Sequence, residues 1–173
     1  MPRPIMNIAD VELQAFPPGM GPTGETAERF EARMGRFSTL IGAQKLGYNI
    51  TAVPPGKRAF PLHCHRVNEE MFFILEGEGE VRIGTETHKI KKGDVICCPC
   101  GGADTAHQII NSGASELRYL AVSTAIDTDV YQYPDSGKFG AVGGRQPGTA
   151  LAAASFPGLF VREAAAVDYW DGE

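Results

Sequence analysis

The chain has 173 residues, 43% of them hydrophobic and 21% charged, which is enough for one substantial core and fits a single domain with decorated ends. Its net charge of -5 and pI near 5.4 argue against the basic surface that nonspecific nucleic-acid or anionic-membrane binding requires. A small anionic ligand held by a few local basic residues stays compatible with that balance.

The opening MPRPIMNIAD lacks an apolar core of signal-peptide length, and no later stretch approaches the roughly twenty apolar residues that span a bilayer, so a cytoplasmic protein without a membrane partner is expected. Residues 1–26 hold one short mixed segment, Ile8 to Phe16, followed by a run rich in Pro and Gly. That predicts an arm lying over the body. Phe30, Ala32 and Met34 alternate with Glu31 and Arg33, predicting a first strand that ends at Gly35, and Tyr48 to Val53 predicts another, stopped by Pro54, Pro55 and Gly56.

The next stretch, HCHRVNEEMFFILEG from His63 to Gly77, is the chemical centre of the sequence. On a strand His63 and His65 point the same way with roots about 6.6 Å apart, while Cys64 points the other way. Two imidazoles so placed can converge on one ion. Glu70 lies an odd number of positions beyond His65, so Arg66, Val67 and Asn68 must turn the chain before it can join them. Past the turn, Glu70, Phe72 and Ile74 share one face, and Met71, Phe73 and Leu75 share the other. Both faces are apolar, which predicts a strand covered on both sides.

Further strands follow at Glu80 to Ile83, Thr85 to Ile90, Asp94 to Cys98, His107 to Asn111 and Leu117 to Ser123, punctuated by Gly or Pro and with almost no helical period. That series indicates an all-β barrel or jelly roll. The run YPDSGKFGAVGGRQPG predicts a long loop or linker, and the tail from Val161 carries Tyr169 and Trp170, an aromatic pair expected to anchor it.

His107 starts an alternating strand after a glycine-containing loop and is the natural further donor. With it, the expected metal site is His63, His65, Glu70 and His107, which uses three of the four histidines. Three imidazoles and a carboxylate suit one divalent transition metal ion, zinc, manganese, iron or nickel, and leave positions open for water or substrate. The four cysteines crowd into positions 64–100 and read as reduced thiols. Cys97 and Cys98, adjacent on a strand, face opposite ways and do not easily ligate one ion. His88, between Thr87 and Lys89, is expected to face solvent.

The stretch Gly56 to Gly77 resembles the first cupin motif, with His63, His65, Glu70 and Gly77 at the family's spacing. Gly93, Pro99, Gly101, His107 and Asn111 resemble the second motif, with a longer loop between Gly101 and His107. The resemblance implies a double-stranded β-helix, the cupin jelly-roll barrel, with an N-terminal arm and an extended C-terminal tail. The expected organisation is an arm and first strand packing on the barrel at 1–40, the barrel at 41–125, and a C-terminal loop and tail at 126–173.

GAQKLGYN, YPDSGKFG and the final DYWDGE are similar to small bacterial single-domain cupins described as sugar phosphate isomerase-like. The resemblance therefore implies a small-molecule ligand such as a sugar or sugar phosphate, and isomerase-like chemistry. Fe(II)-dependent dioxygenase chemistry and non-catalytic sugar or metabolite binding are the alternatives, since this fold hosts all three. Glu69, Tyr48 and Tyr119 are conceivable bases, and Lys45, Lys57, Arg58 and Arg66 conceivable phosphate contacts, each more readily explained as an exposed or structural side chain. The apolar outer face of Met71, Phe73 and Leu75 needs a cover, either an N-terminal strand or a second subunit, and a homodimer is expected.

Overall fold

Short runs of β-branched and aromatic residues, broken by Gly, Pro and Asn, leave the chain little choice but short strands joined by tight turns. In the computed structural model, which describes residues 4–144 and 156–173, the only α-helix among the described residues is Glu25–Arg29. The strands are β1 (Gln14–Ala15), β2 (Arg33–Arg36), β3 (Leu46–Val53), β4 (Cys64–His65), β5 (Glu70–Glu76), β6 (Glu78–Ile83) and β7 (Glu86–Lys91). They continue with β8 (Val95–Cys98), β9 (His107–Ile110), β10 (Leu117–Thr124), β11 (Asp129–Tyr133), β12 (Lys138–Gly143) and β13 (Phe156–Arg162). No helix among the described residues is long and apolar enough to cross a membrane.

One layer is a sheet in the order β1-β2-β3-β10-β5-β8. The opposing layer consists of β13-β12-β11-β4 and β7-β6-β9, stitched together where His63 and His107 exchange backbone hydrogen bonds of 3.2 and 2.8 Å. Phe72, Ile74, Leu117 and Tyr119 from the first layer and Val81, Ile90 and Ile109 from the second share one core. The architecture is the all-β double-stranded β-helix, with the N-terminal residues adding β1 and β2 to the edge of the first layer. On β5, Phe72 and Ile74 are buried while Met71, Phe73 and Leu75 are half-buried, so its outer face is only partly covered within one chain.

Several expectations need correction. The strand expected from Phe30 starts at Arg33 and is the second rather than the first, because Glu25–Arg29 is a helical turn and Phe30 to Ala32 lead out of it, while Gln14–Ala15 precede it as β1. The run YPDSGKFGAVGGRQPG, expected as loop, is largely strand: Tyr133 closes β11, and Lys138–Gly143 is β12, paired with β11 and β13. Its residues from 145 onward lie outside the described residues. The Pro and Gly that suggested a loop are instead the hairpin turn. Pro134–Ser136 make a single 3-10 turn and Gly137 takes the left-handed conformation (φ 58°) that ends it. Gly140 is glycine for packing reasons, since a Cβ there would meet the Phe160 ring of β13 at 2.5 Å. The segment 126–173 is therefore more than loop and tail, because β11 pairs with β4 and builds onto the second layer.

The terminal aromatic pair does not anchor the tail. Tyr169 and Trp170 are 84% and 72% exposed and pack on each other, with centroids 4.8 Å apart. Strand alternation sorts the thiols, leaving Cys98 buried and Cys97 exposed, with Cys100 also exposed. Burial pushes the Cys98 thiol up to about 12.

Candidate metal centre

Three histidines approach one point from the second layer, and a glutamate reaches it from the first. The mutual hydrogen bonds of His63 and His107 put these two side by side, and His65 follows on the same face of the strand. Glu70 opens β5, opposite Cys98 on one side and Ser123 on the other. The turn between His65 and Glu70 is held by Asn68. Its amide donates to the Ile126 carbonyl at 2.9 Å, and its oxygen accepts from Ile126 N at 2.8 Å and from the Thr124 hydroxyl at 2.9 Å. The structure thus brings His63, His65, Glu70 and His107 together, one ligand atom from each lying within 4.8 Å of the others.

Hydrogen bonding decides which nitrogen each ring offers. His63 Nδ1 lies 2.8 Å from the Pro61 carbonyl, His65 Nδ1 lies 2.7 Å from Asp129 Oδ2, and His107 Nδ1 makes a longer contact of 3.4 Å with the Thr105 carbonyl. Rings occupied outward at Nδ1 present Nε2 inward. His107 Nε2 bonds Glu70 Oε2 at 2.9 Å. His65 Nε2 is buried and has no hydrogen-bond partner, since Glu70 Oε2 at 3.4 Å is within ion-pair reach but outside hydrogen-bonding geometry. A buried imidazole nitrogen without a partner, aimed at a carboxylate and flanked by two further imidazoles, is what a divalent ion satisfies. The donor set fits one.

At these groups burial and the neighbouring charges act against each other. Burial opposes charge on His65, but the carboxylates of Asp129 and Glu70 on either side outweigh it and raise its pKa to about 9. His63 keeps a partly accessible edge, yet its ring is packed among His65, His107 and Tyr133. Desolvation and the neighbouring imidazoles lower its pKa to about 4. Glu70 is opposed by burial and still held well below the usual carboxylate range by its hydrogen bond to His107 and the charge of the nearby His65 imidazole. Burial likewise opposes ionisation of Asp129, and the hydrogen bonds from His65, Asn68 and Val67 overcome it.

The outer wall comes from β11 and the start of β12. The Tyr131 ring meets His65 edge-on at 4.6 Å, Tyr133 stacks on His63 at 5.9 Å and 22°, and Lys138 Nζ sits 4.9 Å above the Tyr133 ring. Phe72 closes the core side against His107 at 5.5 Å. In DVYQY, Asp129, Tyr131 and Tyr133 alternate with Val130 and Gln132, which is the period of a strand with one polar-aromatic face. That was the available signal.

Several of the conceivable bases and phosphate contacts are engaged in contacts of their own. Tyr119 is buried in the core and Tyr48 packs on Phe37 at 5.1 Å. Glu69 lies 3.7 Å from the Cys97 thiol. Lys57 Nζ donates to the carbonyls of Ala27 and Glu28, and Arg66 donates to Gln132 Oε1 at 2.7 Å. His88 is 53% exposed beside Glu86.

Residues 49–123 match the family model described as the cupin domain. A curated oxalate-binding protein from Thermotoga maritima is 37% identical over 70 residues, 40% of this chain and 54% of that protein. The chain spans about half or less of the length of the curated relatives it matches. Among solved structures, a presumptive sugar phosphate isomerase from Acidithiobacillus ferrooxidans is 25% identical, with a TM-score of 0.65 over 80% of each chain. A cupin-superfamily sugar phosphate isomerase from Silicibacter pomeroyi is 18% identical, with a TM-score of 0.75 over 96% of this chain and 98% of that one, a likeness of fold.

Proposed function

We propose that this chain, whose residues 49–123 match the cupin domain, is a divalent-metal protein acting on a small polar metabolite, with sugar phosphate isomerase-like chemistry. The observation that carries the reading is the convergence of His63, His65, Glu70 and His107, with the buried Nε2 of His65 lacking any other partner. Zinc, manganese, iron or nickel suits these donors. When bound, such an ion supplies Lewis acidity that polarises a carbonyl or adjacent hydroxyls and so assists proton transfer between neighbouring carbons. The protein's own groups hold the donors and border the site. Burial pushes the Tyr133 hydroxyl up to about 12, so at neutral pH it stays protonated and does not serve as a base. The name of the Acidithiobacillus neighbour supports the substrate class.

A second reading, binding without turnover, draws on the name of the Thermotoga relative. It also draws on Asp129, whose carboxylate oxygens are both occupied by hydrogen bonds and so provide no free base. Protein reconstituted with each metal and offered a panel of sugar phosphates, with isomer interconversion followed by NMR, separates the two. Turnover that disappears in Glu70→Gln supports the isomerase reading. Saturable binding with no turnover in any metal form supports the second, and oxygen uptake with iron would replace both with dioxygenase chemistry. The proposal includes a homodimer built on the half-covered outer face of β5, which sedimentation as a strict monomer at micromolar concentration would remove.

A further inference from the structure

Asp129 is almost fully enclosed and belongs to a hydrogen-bond network in which each group has a fixed role. Its Oδ2 accepts from His65 Nδ1 at 2.7 Å and from Asn68 Nδ2 at 2.8 Å, and its Oδ1 accepts from the backbone N–H groups of Val67 at 3.1 Å and Val130 at 2.8 Å. Four donors converge on two oxygens, and only a carboxylate can accept on both sides. The other members have no freedom to compensate. Asn68 cannot rotate its amide without breaking the bonds that orient it on Ile126 and Thr124, and the two backbone donors cannot turn away.

We propose that Asp129, through the carboxylate it presents to His65, is a positioning residue that fixes His65 as the Nδ1-protonated tautomer and so directs its Nε2 lone pair to the metal. This rests on the metal reading of the site. It makes β11, outside the matched segment 49–123, part of the metal centre. It also yields an outcome that loss of packing would not give. In Asp129→Asn the amide oxygen stays on the Val67 and Val130 N–H groups, so the amide NH2 faces His65 Nδ1. The imidazole then accepts at Nδ1 and carries its proton on Nε2, the nitrogen the ion needs. Asp129→Ala leaves the ring free to adopt either tautomer. The near-isosteric variant is therefore the more damaging one for metal.

The test is competition of Zn2+ alone against a chelating dye, with 15N NMR of the imidazoles in the Zn2+-loaded protein. Asp129→Asn weakens Zn2+ binding by roughly 10–100-fold, the range for loss of an outer carboxylate behind a histidine ligand, and Asp129→Ala by less. Leu159→Ala, at an exposed position of the same C-terminal sheet and outside this network, binds Zn2+ as wild type does. In loaded wild-type protein the His65 Nδ1 proton is slow to exchange. Wild-type Zn2+ affinity in Asp129→Asn, or Zn2+ on Nδ1 with the proton on Nε2 in the wild-type protein, would overturn the proposal whether or not the variants fold. Absence of Zn2+ binding by wild-type protein would instead remove the metal reading, and this inference with it.

Discussion

The barrel strands from β3 to β10 and the C-terminal strands β11 to β13 build one molecule by different means. The barrel buries alternate apolar side chains deeply, with Ile50, Val53, Ile74 and Leu117 fully enclosed, and provides all four candidate donors. The C-terminal sheet buries little. Leu159, Phe160 and Val161 on β13 are 56%, 54% and 45% exposed, and its closest involvement is with the histidines, through Asp129, Tyr131 and Tyr133. One region makes the site possible by folding. The other orients and walls it, which is why its sequence is polar and aromatic on one face and glycine-bearing at the turn.

The sharpest way to break this division is to remove a donor. Glu70→Gln, which is nearly isosteric, or His107→Ala, which also removes a neighbour of Phe72, should abolish stoichiometric metal loading, read by element-resolved mass spectrometry. Retention of a full complement of metal would move the site elsewhere. The stability difference between regions is next in size. Ile74→Ala should cost about 2–5 kcal/mol in chemical unfolding, the range for large-to-small changes in a packed core, whereas Leu159→Ala should stay within about 0.5 kcal/mol, as for an exposed position. Equal losses would mean the C-terminal sheet is covered by something beyond the single chain.

The pH response of metal-free protein sharpens the comparison within the site. His63, with its pKa lowered to about 4, stays neutral when folded while the unfolded chain takes up a proton near 6.5, so its contribution is complete above pH 6.5 and is lost as pH falls toward 4. His65, raised to about 9, holds a proton in the folded state that the unfolded chain gives up, so its contribution is complete below pH 6.5 and is lost as pH rises toward 9. Melting temperature should therefore peak near pH 6.5. A bound ion needs the Nε2 of His65 deprotonated, so loading should abolish the alkaline decline. A melting temperature that keeps rising from pH 7 to 9 without metal would contradict this account of His65. Smallest of all, Trp170→Ala should change stability by less than about 0.5 kcal/mol, because the indole is exposed.

What the sequence made legible follows the same division. Strand alternation indicates the barrel, and the His63, His65, Glu70 spacing indicates candidate donors that the structure brings together, because burial on a two-layer fold forces period-two patterns. Glu70 reaches the histidines through the turn its odd spacing required. The C-terminal strands were missed because Pro134 and Gly137, which form a one-turn hairpin connection, resemble a loop, and Gly140 is dictated by the neighbouring Phe160 ring rather than by the local chain. Asp129 was invisible for a related reason. Its role depends on β11 pairing with β4, a contact across more than sixty residues that local pattern does not encode.

The central claim, that His63, His65, Glu70 and His107 hold one divalent ion, is tested most directly by the metal content of untagged protein purified without chelator and then reconstituted with zinc, manganese, iron and nickel in turn. The account predicts close to one ion per chain for at least one metal. No binding of any of the four would contradict it and leave a barrel whose buried His65 Nε2 has no explanation.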